Sequence, residues 1–115
     1  MESLRILILD DEKIFRDEIR EFLENDSFTV FSAGLPSEAF EILDKNEVDI
    51  LILDLRLPEM DGFTILEKVK KKFPHIEVIM ITGHGDMDAV IKAMRLGAME
   101  FFPKPFRLLD IKAAI

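Results

Sequence analysis

The chain has 115 residues, with 23 Asp and Glu against 15 Lys and Arg, for a net charge of −8; the length suits a single domain over residues 1–115, with a compact radius of about 13 Å. With 49 % hydrophobic and 33 % charged residues the composition is globular rather than disordered, and the acidic surplus repels phosphate backbones, so no direct nucleic-acid contact by this domain is expected. The absence of cysteine excludes disulfides, thiol catalysis and Cys-ligated zinc, while no apolar run approaches the roughly 18 residues that span a bilayer and Met1 to Arg5 form no signal peptide. The expectation is a cytoplasmic domain without a membrane contact.

Short apolar runs alternate with amphipathic stretches five times. Leu4–Leu9 reads as a strand that stops at Asp10-Asp11, and Glu12–Glu24 repeats Phe15, Ile19, Phe22 and Leu23 at helical spacing. Phe28–Phe31 is a second strand. Pro36 sits where a first helical turn tolerates it, and Ala39, Phe40 and Leu43 give that helix an apolar face. Val48–Leu53 is almost wholly apolar, as a central parallel strand covered on both faces should be, and it stops at Asp54. Leu55–Gly62 reads as a loop with Pro58. Phe63, Leu66, Val69 and Phe73 then mark a third helix closed by Pro74. Ile76–Ile81 is a fourth strand. Asp86 can cap a fourth helix with Val90, Ala93 and Met94 inward and Gly97 as its stop. Met99–Phe102 is a fifth strand, and Pro105 opens a last helix from Phe106 to Ile115.

Five such units with short connections imply a parallel sheet between helices, joined by right-handed crossovers. Sheets of this kind bind ligands beyond the carboxyl ends of their strands. Asp10-Asp11, Asp54, Thr82 and Lys104 each follow an apolar run, so one sheet edge collects all of them, although the sequence spreads them from 10 to 104. Taken singly, each has an ordinary structural reading. Asp10-Asp11-Glu12 would make an N-cap with an acidic first turn; Thr82 would end a strand; Lys104-Pro105 would lead into a helix. Asp54 does not suit a cap, because a loop containing Pro58 separates it from the next helix.

Together these residues form a chemical set. Asp10, Asp11 and Asp54 at neighbouring strand ends repel one another, and a hard divalent cation such as Mg²⁺ resolves that conflict. Lys104 and the Thr82 hydroxyl are donors suited to phosphoryl oxygens. A carboxylate nucleophile, a metal and a lysine suffice for phosphoryl transfer, where positioning and charge neutralisation dominate. His75 and His84, the only histidines, form no zinc pair. Gly83-His84-Gly85 is not a phosphate-cradling loop, since no Gly-Lys-Ser/Thr follows it.

The motifs Leu9-Asp10-Asp11-Glu12, Leu53-Asp54-Leu55-Arg56-Leu57-Pro58-Glu59-Met60-Asp61-Gly62, Ile81-Thr82-Gly83 and Phe102-Pro103-Lys104-Pro105-Phe106 resemble the receiver domains of two-component response regulators. The resemblance spans essentially the whole chain. The runs around Thr82, Ala93–Ala98 and Lys104 are similar to NtrC-like and FixJ-like receivers. The resemblance implies a flavodoxin-like (βα)5 fold, a doubly wound parallel sheet of strand order 2-1-3-4-5. It implies Asp54 as phosphoacceptor, and Mg²⁺ held by Asp11 and Asp54, by the Arg56 main-chain carbonyl, and by Asp10 through water. Thr82 and Lys104 would hold phosphoryl oxygens across a cis Lys104–Pro105 bond, and Gly83 would leave them room. Phe102 would be the aromatic switch residue beside Thr82, acting by packing because it lacks a hydroxyl. Arg56 and His84 would flank the path of attacking water and set the phosphoryl lifetime.

The implied partners are a sensor histidine kinase and a covalently linked output domain, expected beyond Ile115 because the chain stops in mid-helix. Control of transcription is the expected outcome. The implied moving surface is the fourth helix, fifth strand and fifth helix, with Ile91, Arg95, Met99 and Phe106, a face that could also pair two copies. Ile91 is expected to be exposed there. Two other functions compete. A magnesium-dependent phosphohydrolase would use Asp54 as nucleophile but has Arg56 where its general acid is usually an Asp, and a phosphorylation-independent interaction domain would not need the site residues.

Overall fold

The computed structural model describes residues 3–83 and 86–115. Five strands, β1 (Arg5–Leu9), β2 (Thr29–Ala33), β3 (Ile50–Asp54), β4 (Glu77–Thr82) and β5 (Glu100–Pro103), alternate with helices α1 (Lys13–Glu24), α2 (Pro36–Lys45), α3 (Gly62–Lys72), α4 (Met87–Arg95) and α5 (Leu108–Ala114). The sheet is parallel throughout, in the order β2-β1-β3-β4-β5. This is the flavodoxin-like (βα)5 topology implied by the motifs. The radius of gyration is 12.8 Å, and among the described residues no helix is long and apolar enough to cross a membrane.

Side chains alternate across a strand, and here the alternation also sorts by shape. Ile6, Ile8, Ile50, Ile52, Ile79 and Ile81 face one side, where Ile19 and Leu23 of α1 and Ile111 of α5 cover them. Leu7, Leu9, Leu51, Leu53, Val78 and Met80 face the other, under Ala39 and Leu43 of α2, Ile65, Leu66 and Val69 of α3 and Ala93 of α4. The three central strands are therefore dry on both faces, which is why their sequences run almost without a polar residue.

Register then decides what stands at the sheet edge. Leu9 pairs with Leu53, so Asp10 and Asp54 come next on adjacent strands. Asp54 pairs with Ile81, one residue before Thr82, and Thr82 pairs with Pro103, one residue before Lys104.

The loop from Leu55 to Gly62 is closed on itself. The Gly62 amide donates to the Leu55 carbonyl at 2.7 Å, and a Cβ on Gly62 would lie 2.7 Å from the Asp54 carbonyl oxygen and 2.7 Å from the Leu55 Cα. Only glycine fits so close to backbone. Glu59 in the same loop has φ +68, a conformation uncommon outside glycine. Its carboxylate accepts from the Ser37 amide at 3.1 Å and the Ser37 hydroxyl at 3.3 Å, satisfying donors at the start of α2. Asp61 caps α3 by accepting from the Thr64 amide at 3.0 Å, and Asp86 caps α4 through the Ala89 amide at 2.8 Å, as expected for Asp86.

The ordinary reading of Asp10-Asp11-Glu12, a side-chain cap with an acidic first turn, does not hold: α1 starts at Lys13 with no side-chain cap bond, and Asp10 instead accepts from the Glu12 amide at 2.9 Å in the turn before it. Two expectations are corrected. The last helix starts at Leu108, not at Phe106: the chain from Pro105 to Arg107 runs outside the helix, with extended backbone at Arg107. The Lys104–Pro105 bond is cis, as the motif implied. Met94 is 46 % exposed rather than inward. α4 turns Ala89 and Ala93 to the core, with Leu96 packed there just past its end, because small residues let the helix approach the sheet and centre its buried face there. Ile91 is exposed as expected, on one outer face with Met87 and Met94. Met99 and Phe106 pack against the α1–α5 side of the sheet.

Gly62→Ala is expected to cost about 2–3 kcal/mol in urea unfolding followed by circular dichroism. Gly83→Ala, whose Cβ would meet nothing within 4 Å, is expected to change stability by less than about 0.5 kcal/mol.

Candidate functional site

The buried polar side chains among the described residues are Asp10, Asp54 and Thr82, all at the carboxyl edge of the sheet. Asp10 is wholly buried and fully engaged. Its Oδ1 accepts from the Glu12 amide, its Oδ2 accepts from Lys104 Nζ at 3.1 Å, and its carbonyl oxygen accepts from Arg16 Nη1 at 2.7 Å. Asp54 ends β3, 5 % exposed. Its Oδ1 accepts from the Arg56 amide at 3.2 Å and its Oδ2 from Lys104 Nζ at 3.4 Å. The Lys104 amide donates to the Thr82 carbonyl at 2.7 Å, which ties the end of β5 to the end of β4. Thr82 itself is fully buried.

Burial makes the charged form of Asp54 costly, and the Asp10 carboxylate raises the cost further. Lys104 and the Arg56 amide offset only part of this, so the Asp54 carboxyl is pushed up to about 6. For Lys104, burial acts to lower the proton affinity, but its hydrogen bond to Asp10 and the charges of Asp54, Asp10 and Glu12 outweigh burial and raise it. The ammonium is therefore firmly charged and still too little to neutralise the acids around it.

A crevice of about 220 Å³ opens over these groups, lined by Asp11, Glu12, Asp54, Arg56, Gly83 and Lys104. Oxygen atoms of Asp10, Glu12 and Asp54 lie within 4.8 Å of one another, and a set of carboxylate oxygens around a negative hollow is the donor chemistry that suits a hard divalent cation. Glu12 is the member that sequence reasoning missed. Taken singly it reads as part of a helix cap, although its place in a run of three acids directly after a strand is a signal that marks it. Asp11 is exposed and lines the crevice without joining the close triplet. Arg56 is exposed on the rim, with its amide on Asp54. The space above Gly83 is open. Phe102 is half-buried with its ring centroid 6.1 Å from that of Phe106. His84 lies outside the described residues.

The response regulator receiver domain family matches residues 6–115. The chain is 38 % identical over 113 residues to the regulatory protein VanR of Enterococcus faecium, covering 98 % of this chain and 48 % of VanR. Among solved structures, a response regulator receiver domain from Clostridium thermocellum is 38 % identical with a TM-score of 0.90, covering 96 % of this chain and 90 % of that one. The beryllofluoride-activated NtrC4 receiver domain dimer is 34 % identical with a TM-score of 0.88, covering 96 % and 94 %. The chain spans about half the length of VanR and about a quarter of the NtrX-like regulators of Rickettsia. The chain belongs to the response regulator receiver domains, which are signalling domains rather than classical enzymes, and its Asp10–Glu12–Asp54 cluster is the phosphoacceptor site of such a domain.

Proposed function

We propose that this receiver takes a phosphoryl group from a sensor histidine kinase onto Asp54, with Mg²⁺ in the acidic crevice. The observation that carries the assignment is the Asp54 carboxylate itself: it ends the central strand, borders the open crevice beside Gly83, and is under-neutralised by Lys104 at 3.4 Å. Asp11, Glu12, Asp54 and the Arg56 main-chain carbonyl are the oxygen donors proposed for the cation, with Asp10, already engaged by Lys104 and the Glu12 amide, acting through water. When bound, it supplies charge neutralisation for the incoming phosphoryl oxygens. Lys104 and Thr82 would then hold those oxygens, and Phe102 would repack in response. Arg56, on the rim, stands beside the path of attacking water, and the same lifetime role is proposed for His84.

New contacts that exist in only one state bias a two-state equilibrium by their differential free energy. The surface that would carry the change is α4, β5 and α5, where Met87, Ile91 and Met94 already stand exposed. The dimeric state of the similar NtrC4 receiver supports self-association, and the exposed apolar side chains of α4 make this face the place proposed for it. An output domain that controls transcription, and a cytoplasmic setting, complete it; the greater length of VanR and the NtrX-like regulators supports the former.

Intact mass after incubation with Mg²⁺ and acetyl phosphate tests the acceptor. Wild type is expected to gain one phosphoryl group and Asp54→Asn none; equal gain by both overturns the assignment. Mg²⁺ at about tenfold over its dissociation constant is expected to stabilise wild type by about 1.4 kcal/mol, seen as a rise in Tm, and to leave Asp54→Asn nearly unmoved. The metal-free protein has its own signature. Because folding raises the Asp54 pKa from 3.8 to about 6, the folded form binds the proton more tightly between those values. Its contribution to stability is complete below about pH 4 and is lost as pH rises through about 6. Urea titrations in EDTA are expected to show that loss in wild type and not in Asp54→Asn, which should be more stable at pH 7.5 by about 1–3 kcal/mol.

A further inference from the structure

Among the described residues, four contacts hold the Lys104 ammonium. Three are carboxylate oxygens: Asp10 Oδ2 at 3.1 Å, and Glu12 Oε1 and Asp54 Oδ2 at 3.4 Å each. The fourth is the face of Phe15, with the ring centroid 4.1 Å from Nζ. Phe15 meets Phe106 edge to face, with centroids 5.4 Å apart and planes at 79°. Phe106 in turn leans on Phe102, at 6.1 Å and 46°. The rings come from α1, from the segment before α5 and from β5, so an unbroken path of aromatic contacts runs from the site cation to Phe102.

We propose that Phe15 is a positioning residue for phosphoryl transfer: its ring is the pivot on which the Lys104 ammonium turns from Asp54 to the phosphoryl group, and Phe106 carries that movement to Phe102. The inference rests on the reading of Asp54 as acceptor and of Lys104 as a phosphoryl contact. In transfer from acetyl phosphate, an Asp54 carboxylate oxygen bonds to phosphorus while the bond from phosphorus to the acetate oxygen breaks. Acetate leaves with the electron pair, and no proton moves. The carboxylate charge of Asp54 is spent in the new acyl phosphate, and negative charge now sits on the phosphoryl oxygens. Lys104 must follow it.

A hydrogen bond to a carboxylate is directional and has to break for that turn to occur. The attraction of an ammonium for a ring face is broad in angle and survives it. A lysine stem has large rotamer freedom in the absence of such a restraint, and Phe15 limits where Nζ can go while its partners exchange. The ring does this by its negative face, which an aliphatic side chain of similar bulk lacks. Edge-to-face packing then makes the position of Phe15 felt by Phe106, and through it by Phe102.

The test compares phosphorylation rates from acetyl phosphate and Mg²⁺, by intact mass, for wild type, Phe15→Leu, Phe15→Tyr, Lys104→Met and the Phe15→Leu/Lys104→Met double variant, each checked for folding by circular dichroism. Phe15→Leu is expected to be about three- to tenfold slower, and Phe15→Tyr to recover the wild-type rate within about twofold. In the Lys104→Met background Phe15→Leu should have no further effect, because a pivot without its ammonium does nothing. With beryllofluoride as a stationary phosphoryl mimic, the Phe102 ring signals in NMR spectra should move fully in Phe15→Tyr and by less than about half as much in Phe15→Leu. A wild-type rate for Phe15→Leu beside a slow Lys104→Met overturns the inference and leaves the Lys104 reading standing. The same slowing by Phe15→Leu in both backgrounds, or a full Phe102 response in Phe15→Leu, also overturns it. A Lys104→Met chain as fast as wild type overturns both.

Discussion

The structure turns on two carboxylates that it keeps buried side by side. Oxygens of Asp10 and Asp54 lie within 4.8 Å, a separation at which two negative charges repel by roughly 3–4 kcal/mol at an effective dielectric near 20. One ammonium, Lys104, touches both, and backbone amides of Glu12 and Arg56 touch one each. Glu12 adds a third acid to the same cation. The sum remains negative, so the pocket favours any ligand that brings positive charge. Such a cluster contributes little to stability by itself, since desolvation consumes most of what the pairing returns.

The sheet supplies the stability that the site consumes. Its three central strands bury isoleucines on one face and mainly leucines on the other, with helices closing both. Each fully buried side chain of this size contributes about 1.5–3 kcal/mol relative to exposure, so the core can sustain a few kcal/mol of charge repulsion at its edge. The same architecture decides which acids meet. Because β1 and β3 are neighbours in register, Asp10 and Asp54 stand together without any helix or loop having to bring them there.

The loop after β3 keeps the crevice accessible. Gly62 packs against the backbone of Asp54 and Leu55, Glu59 anchors the loop to the start of α2, and Asp61 begins α3. The chain is thereby led away from Asp54 rather than across it. On the other side Gly83 carries no side chain into the opening. A carboxylate that is both buried among its neighbours and open toward one hollow can react without being hydrated on all sides, a condition that favours phosphoryl transfer by positioning and charge.

Much of this was legible in the order of residues alone. Apolar runs that stop at Asp10, Asp54 and Thr82, with Lys104 past the fifth, determine a parallel sheet with one reactive edge, because strand periodicity and the strand-end rule act on local sequence. The exposure of Ile91 and the capping of α4 by Asp86 are local too. What tertiary structure decided is everything that depends on the approach of distant segments. Glu12 joins the acidic cluster because Asp54 and Lys104 come to it from other strands, and Phe15 meets Lys104 although 89 positions separate them. Met94 yields the inward face of α4 to Ala89 and Ala93, and α5 starts at Leu108. Gly62 is required by the backbone of Asp54 and Leu55, which the closure of the loop after β3 brings against it. Periodicity says which side of an element is apolar, but only packing says which neighbour that side meets and how closely.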